Sequence, residues 1–199
     1  MLNLLAGIST GALVAIIVIA IVLLLVIIVI AWWIKTHNAF VALNAQTEES
    51  FSTIDVYLKK RYDLIPNIVE TVKGYAKHES ETFIKVTEAR SKAVSANTPE
   101  EKAAADAQMT QAIRNFNMVM EAYPELKANT SFLDLQQQLK SIEGELSQAR
   151  KYYNATVKVF NVKLGSFPSS IVGKRMKLTK KPFFEVAVPE ERENVKVQF

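Results

Sequence analysis

The stretch GALVAIIVIAIVLLLVIIVIAWWI, from Gly11 to Ile34, constrains the fold of this chain more than any other sequence feature. It contains no charged residue, and as an α-helix it is about 36 Å long, enough to cross the hydrocarbon core of a bilayer. A core helix of a soluble domain would carry a polar stripe or end sooner. Trp32, Trp33 and Lys35 match an interfacial anchor, with aromatic rings at headgroup level and an ammonium just beyond. The stretch is therefore predicted to be a single transmembrane helix.

The apolar stretch lacks the features of a cleaved signal peptide. Such a peptide has a basic start, an apolar region of about 7 to 15 residues and a small-residue cleavage site. Here no Lys or Arg precedes Lys35, the apolar run is longer, and Ile34 and two tryptophans occupy the place of the cleavage site. The chain has no cysteine, which excludes lipoprotein acylation, disulfide bonds, thiolate chemistry and cysteine-bound metals. We expect the helix to stay attached.

Two features of the span concern its orientation and its neighbours. One lysine follows the span and none precedes it, so the positive-inside rule predicts a cytoplasmic soluble domain on a single-pass protein of the cell membrane. Gly7, Gly11 and Ala15 recur every four residues, a small-residue face that lets two membrane helices approach closely. Small residues are also common in membrane helices generally, so both interpretations stay open.

The rest of the chain has the size of one domain. About 165 residues follow the span, enough for one core of their own. The formal net charge of +4 is too small to indicate a nucleic-acid partner.

Apolar residues at steps of three or four predict helices and no sheet after the span. The membrane helix continues as a stalk up to a tight turn or kink at Tyr62–Pro66, because proline lacks an N–H and disfavours helix at the preceding residue. A second helix runs from there to Ser95, with Gly74 inside it. Thr98 begins the third helix as the N-cap of a capping box with Glu101.

The fourth helix has the most regular pattern, a period near 3.5 that is typical of coiled coils and bundles. It begins at Asn129 or Thr130 and ends at Gly165 and Pro168. The sequence thus predicts an all-α fold: an N-terminal tail and transmembrane helix (1–34) continuing into an antiparallel bundle of four long helices (35–167), then a basic and finally irregular tail (168–199).

Basic residues cluster in this tail, which the antiparallel helix order places near the bilayer. Such a run, with aromatic residues beside it, can contact anionic lipid and gain about 1 kcal/mol per charge near the surface. The alternative is a tail whose two phenylalanines pack against the bundle. The residues concerned are Lys174, Arg175, Lys177, Lys180, Lys181, Phe183 and Phe184.

The sequence offers no recognisable catalytic or metal site. His78-Glu79 begins like a zinc-protease motif, but Thr82 stands where the second histidine belongs. Di-iron bundles need Glu-x-x-His pairs, and neither His37 nor His78 forms one. There is no glycine-rich phosphate loop and no Gly-x-Ser-x-Gly elbow. We expect a non-enzymatic protein without a cofactor or a bound metal.

Several segments, dispersed in order along the chain, closely resemble the bacterial LemA family. They are IDVYLKKRYDLIPNIVETVKGYAKHE at 54–79, EAR at 88–90, EAYPELKAN at 121–129, LQQQL at 135–139, ARKYYNATVKVFN at 149–161, FPSS at 167–170 and KKPFFE at 180–185. The resemblance implies a membrane-anchored protein with one N-terminal span and a long-helix bundle. It brings no catalytic motif and no established enzymatic activity.

The residues that carry the resemblance have two interpretations. They either turn the chain and bridge helix ends, or they form a surface for a partner. The residues are Tyr62, Asp63, Pro66, Asn67, Tyr123, Pro124, Lys127, Arg150 and Asn154.

The leading functional hypothesis is a membrane-anchored scaffold or adaptor that self-associates into a homo-oligomer through its stalk and bundle. It is motivated by the small-residue face of the span and by the apolar stripe of the stalk, which can pair with another copy as readily as with the fourth helix. Its partners would be the lipid bilayer and copies of itself. The first alternative is a signalling or sensory protein that couples the membrane to another, unidentified protein. The second alternative is a hydrolase.

Overall fold

The computed structural model describes residues 10–184, and every regular element in that range is an α-helix, which confirms the predicted fold class. Gly7 and the end of the KKPFFE segment lie outside the described residues. The helices are α1 (Thr10–Lys73), α2 (Ser80–Ser95), α3 (Pro99–Met120), α4 (Pro124–Lys127), α5 (Thr130–Gly165) and α6 (Ser169–Arg175).

The helix α1 is continuous over 64 residues and belongs to both the apolar segment and the bundle. Its first part is long and apolar enough to span a membrane, and none of its most apolar window is buried inside the protein. From Thr36 onward one face becomes buried, with Phe40, Ile54 and Leu58 at its centre. The apolar segment and the bundle therefore share one uninterrupted helical backbone.

The turn predicted at Tyr62–Pro66 is wrong, because α1 continues through Pro66 to Lys73. Proline has no N–H, so the carbonyl of Tyr62, four residues earlier, lacks its usual donor within the helix. Nε of Arg90 in α2 donates to this carbonyl at 2.8 Å instead. A hydrogen bond from a neighbouring helix thus replaces the one that proline removes.

Substitution of Arg90 by alanine is expected to lower the free energy of unfolding by about 1 to 3 kcal/mol, because it leaves the Tyr62 carbonyl without this donor. The loss should be smaller in a Pro66→Ala background, where the new N–H can bond to the same carbonyl. Urea unfolding of the four proteins of this double-mutant cycle measures the coupling. An equal loss in both backgrounds would show that Arg90 does not compensate for Pro66.

The predicted second helix is divided in two by the actual turn. Residues up to Lys73 belong to α1, and α2 begins at Ser80. Gly74 lies in the turn between them rather than inside a helix, and the N–H of Ala76 closes the end of α1 on the carbonyl of Val72 at 3.0 Å. The apolar face of α1 passes Pro66 without a shift, so periodicity was a better guide here than the proline.

The starts of α3 and α5 are as predicted. Thr98 forms the capping box, accepting the N–H of Glu101 at 3.2 Å while the Glu101 carboxylate accepts the N–H of Thr98 at 3.1 Å. N–H donation from Asn97 and Thr98 lowers the pKa of Glu101, because it stabilises the charged form. Asn129 caps α5 by accepting the N–H of Phe132 at 3.0 Å.

The four long helices alternate in direction. The Phe40 and Phe160 rings lie 6.1 Å apart, whereas Arg61 further along α1 pairs with Glu143 earlier in α5, so these two helices are antiparallel. The helices α2 and α3 form a hairpin beside the part of α1 that ends at Lys73, which we call the upper part because it lies away from the apolar segment. The large core lies among these four helices, and a second, smaller core lies below it, where α5 gives way to α6.

Candidate functional site

The base of the bundle, by which we mean the smaller core and the helix ends around it, is the part of the bundle beside the apolar segment. Phe40, Phe160 and Val172 are fully buried there. Trp32 and Trp33, the predicted interfacial anchor, pack against these three residues. The tryptophans therefore lie at the end of the apolar segment and also connect that segment to the bundle by packing.

The helix α6 was not predicted, since residues 168–199 were expected to form a basic and then irregular tail. Its Val172 fills the smaller core, and Gly173 lies so close to α5 that a Cβ at this position would overlap the Leu164 side chain. A helix of seven residues is too short to show a period, which is why the sequence pattern did not indicate it.

The predicted membrane-contact residues lie in two places. Lys174, Arg175 and Lys177 are exposed at the end of α6. Lys180 is also exposed, whereas the Lys181 ammonium lies 5.4 Å from the centre of the Phe160 ring. Contact of these basic residues with lipid stays a prediction.

Residues 178–184, which we call the return segment, run back along α5 away from the base. The Asn161 amide bonds to both backbone groups of Lys181, at 2.8 and 2.9 Å. Asn154, seven residues earlier, does the same for Phe184, at 3.1 and 2.8 Å. Phe184 is only 3% exposed, so it packs against the bundle, as the alternative interpretation had it, while Phe183 is half exposed.

Arg61, Asp106 and Arg150 form a buried charge cluster that joins α1, α3 and α5. Nη1 of Arg61 lies 2.8 Å from Oδ1 of Asp106, and each side chain is 1% exposed. The other carboxylate oxygen of Asp106 pairs with Arg150. Arg61 also pairs with Glu143 at 2.8 Å and donates to the Thr110 hydroxyl at 3.1 Å. Two guanidinium groups are thus balanced by two carboxylates, the buried Asp106 and the partly exposed Glu143.

The sequence contains a signal for this cluster that sequence analysis did not use. Arg61 occupies a position in the apolar stripe of α1, between Leu58 and Ile65, and a buried charge there requires a partner. The partner lies 45 residues further along the chain, and helical periodicity does not identify it.

The cluster is an ion-pair network that joins three helices. The neighbouring Tyr62 hydroxyl is buried without a hydrogen-bond partner among residues 10–184. Burial raises the pKa of Tyr62, and the Asp106 carboxylate raises it further, so the phenol stays neutral. Within the same residues no three His, Cys, Asp or Glu side chains are grouped to hold a metal. His78 lies in the turn after α1, outside any helix.

Beside the cluster, α1, α2 and the start of α3 enclose an open cleft of about 310 Å³. Its rim carries charges of both signs, including Asp63, Arg90 and an ion pair between Lys102 and Asp55. The mixed charge favours no single class of ligand.

Most residues behind the family resemblance have structural roles. The Tyr123 hydroxyl donates to Glu79 at 3.0 Å, and Pro124 begins α4. Arg150 belongs to the charge cluster, and Asn154 binds the return segment. Pro66 leaves the Tyr62 carbonyl without a donor in α1, and Arg90 donates to that carbonyl instead. Asp63, Asn67 and Lys127 are exposed and leave room for the partner-surface interpretation.

Comparison with known proteins confirms the family resemblance of the sequence. The model of the LemA family matches residues 50–199, well over half of the chain. The chain belongs to the LemA family. It is similar to Protein LemA of Metamycoplasma hominis, with 24% identity over 143 residues, which cover 71% of this chain and 65% of that relative. The matched range includes the residues of the buried charge cluster, the return segment and α6.

Proposed function

We propose that this LemA-family protein is a non-enzymatic scaffold or adaptor, anchored in the cell membrane, that holds its bundle against a cytoplasmic membrane surface and self-associates into a homo-oligomer. The observation that carries the proposal is the continuity of α1, which passes from the apolar segment into the bundle without a break. The buried charge cluster adds stiffness, because it ties α1 to α3 and α5. A stiff bundle on a single span is suited to positioning a partner.

The surfaces available for self-association differ from those expected. The apolar stripe of the stalk is covered by α5 and is not free to pair with another copy. The apolar segment remains, including Gly11 and Ala15. The outer face of α5 also presents exposed apolar residues at alternating steps of three and four, as in a heptad: Tyr152, Ala155, Val159 and Val162.

The continuity of α1 also supports the signalling alternative, in which the protein couples the membrane to another protein. A rotation or tilt of the span would reach the bundle through the same backbone. The two functions differ in what they need: a scaffold assembles from copies of this chain, whereas a signalling adaptor needs a second protein.

The full-length protein in mild detergent is expected to form a discrete homo-oligomer, measured as protein mass by light scattering after subtraction of the detergent. Gly11→Leu should lower this mass, because a larger side chain blocks close approach of two spans. A Cβ at Gly11 meets no atom within 4 Å in the protomer, and the position is exposed, so a larger side chain has open space on the surface of α1.

The matched control is Ala20→Leu, which introduces the same side chain nine residues on and therefore on the opposite face of the helix. It should leave the mass unchanged. A monomeric wild-type protein would overturn the scaffold proposal in favour of the signalling one. An equal effect of both substitutions would show that the face with Gly11 and Ala15 is not the contact.

A further inference from the structure

The connection between α5 and α6 presents apolar side chains to the outside. Phe167 is 84% exposed, more than any other large apolar residue among those described, the apolar segment included. Ile171, four residues later in α6, is 50% exposed. Its neighbour Val172 is buried in the smaller core, so α6 has one face toward the bundle and another away from it.

The antiparallel register of α1 and α5 fixes the height of this connection. Phe40 and Phe160 face each other. From Phe160 to the end of α5 at Gly165 the chain advances about 8 Å, and over the same distance α1 runs back from Phe40 to Lys35. The α5–α6 connection is therefore level with Lys35 and the tryptophans before it, where the apolar segment ends.

The charge distribution around the base is one-sided. Residues 146–184 contain nine Lys or Arg and no Asp or Glu, and α1 adds Lys35 with no acidic residue before Glu48. The chain as a whole carries only +4, so acidic residues are concentrated in the upper bundle. A cationic base complements the anionic headgroups of a cytoplasmic leaflet.

We infer that the base is a second membrane-contact site, in which Phe167 and Ile171 insert at the boundary between headgroups and hydrocarbon of the bilayer that α1 spans. Lys174, Arg175 and Lys177 lie on the anionic headgroups around them. This inference rests on the membrane anchoring proposed above. It replaces Phe183 and Phe184, the aromatic residues expected from sequence, with a pair that the fold leaves exposed at the height of the membrane surface.

A contact of this kind fixes the tilt of the bundle. A single span allows its soluble domain to lean in any direction, whereas a second point of attachment on one side of α1 selects one direction. The close packing of Gly173 against Leu164 and Phe40 holds α6 rigidly enough to transmit the attachment to the bundle.

The test uses spin labels, since the cysteine-free chain accepts one label at a chosen site. Single-cysteine variants Leu23→Cys, Ser166→Cys and Val159→Cys of the full chain are placed, one copy per disc so that no second copy can cover α5, in nanodiscs of phosphatidylcholine and phosphatidylglycerol. Electron paramagnetic resonance compares collisions of each label with oxygen and with a water-soluble nickel complex. Leu23 reports the span, Ser166 flanks Phe167, and Val159 is a control about 10 Å higher on α5.

We expect bilayer-core accessibility at Leu23, interfacial depth at Ser166 and aqueous accessibility at Val159. Adding Phe167→Glu to the Ser166→Cys variant should return its label to water with unchanged helix content. If the Ser166 label is as water-exposed as the Val159 label while the Leu23 label is in the bilayer, the inference is overturned and the anchoring stands. If the Leu23 label is also in water, the anchoring itself is wrong.

Discussion

Replacement of Asp106 by alanine is expected to lower the free energy of unfolding by about 3 to 5 kcal/mol, because it breaks a buried ion pair and leaves its partners uncompensated. Asp106 is bonded to Arg61 and Arg150, and of these two Arg61 is as deeply buried as the carboxylate itself. Without it, Arg150 would lose its paired carboxylate, and Arg61 would keep only the half-exposed carboxylate of Glu143. Urea unfolding of the full-length protein in detergent, followed by far-UV circular dichroism, measures the loss.

The control for Asp106 is Glu81→Ala, which removes a carboxylate from an exposed pair with Lys85. Exposed pairs of this kind contribute about 0 to 1 kcal/mol, so this variant should unfold almost like the wild type. If Asp106→Ala were no more destabilising than Glu81→Ala, the buried cluster would not be what stabilises the packing of α1, α3 and α5.

Phe160→Ala is expected to lower the free energy of unfolding of the bundle by about 3 to 5 kcal/mol, the usual effect of removing a buried phenylalanine ring. Phe160 is 1% exposed, packs edge-to-face with Phe40 and lies under the Lys181 ammonium. The cavity would lie between α1, α5 and α6, so α6 and the return segment should also open more often. Hydrogen exchange of residues 169–184 reports that opening.

Phe183→Ala is the matched control, because it removes the same ring from a half-exposed position in the return segment. Its unfolding and its hydrogen exchange should stay close to wild type. Faster exchange in Phe183→Ala than in Phe160→Ala would mean that the return segment is held by the ring of Phe183 and not by the base.

The elements that could be predicted from sequence are those specified by local chemistry. The apolar segment, the capping box at Thr98 and the Asn129 cap depend on residues within one or two turns of each other, and all three are found. The turn at Pro66 was wrong because the compensation for proline comes from Arg90, in another helix. Local rules describe what proline removes, and only the tertiary structure shows what replaces it.

The candidate site was predicted less completely, for the same reason. Arg61 lies in the apolar stripe of α1, but its partner Asp106 is 45 residues away. The basic tail was recognised by composition, whereas the exposure of Phe167 and the burial of Phe184 depend on how α6 and the return segment fold back. The sequence shows that these residues are present, but it does not show which of them point toward the bundle and which point outward.

The unbroken α1 also determines how far the protein reaches. Between Lys35 and its end at Lys73 it rises about 57 Å, so in an upright, anchored protein the turn after α1 and the Asn129 cap would stand at roughly that height above the bilayer. With the anchoring proposed above, a partner at the upper end and a partner at the base would be separated by distance alone. A molecule that engages the upper end would come from the aqueous phase, while one that engages Phe167 or Lys174 would lie in or on the membrane. In that arrangement α1 would be a spacer between the membrane surface and the aqueous phase at the upper end of the bundle.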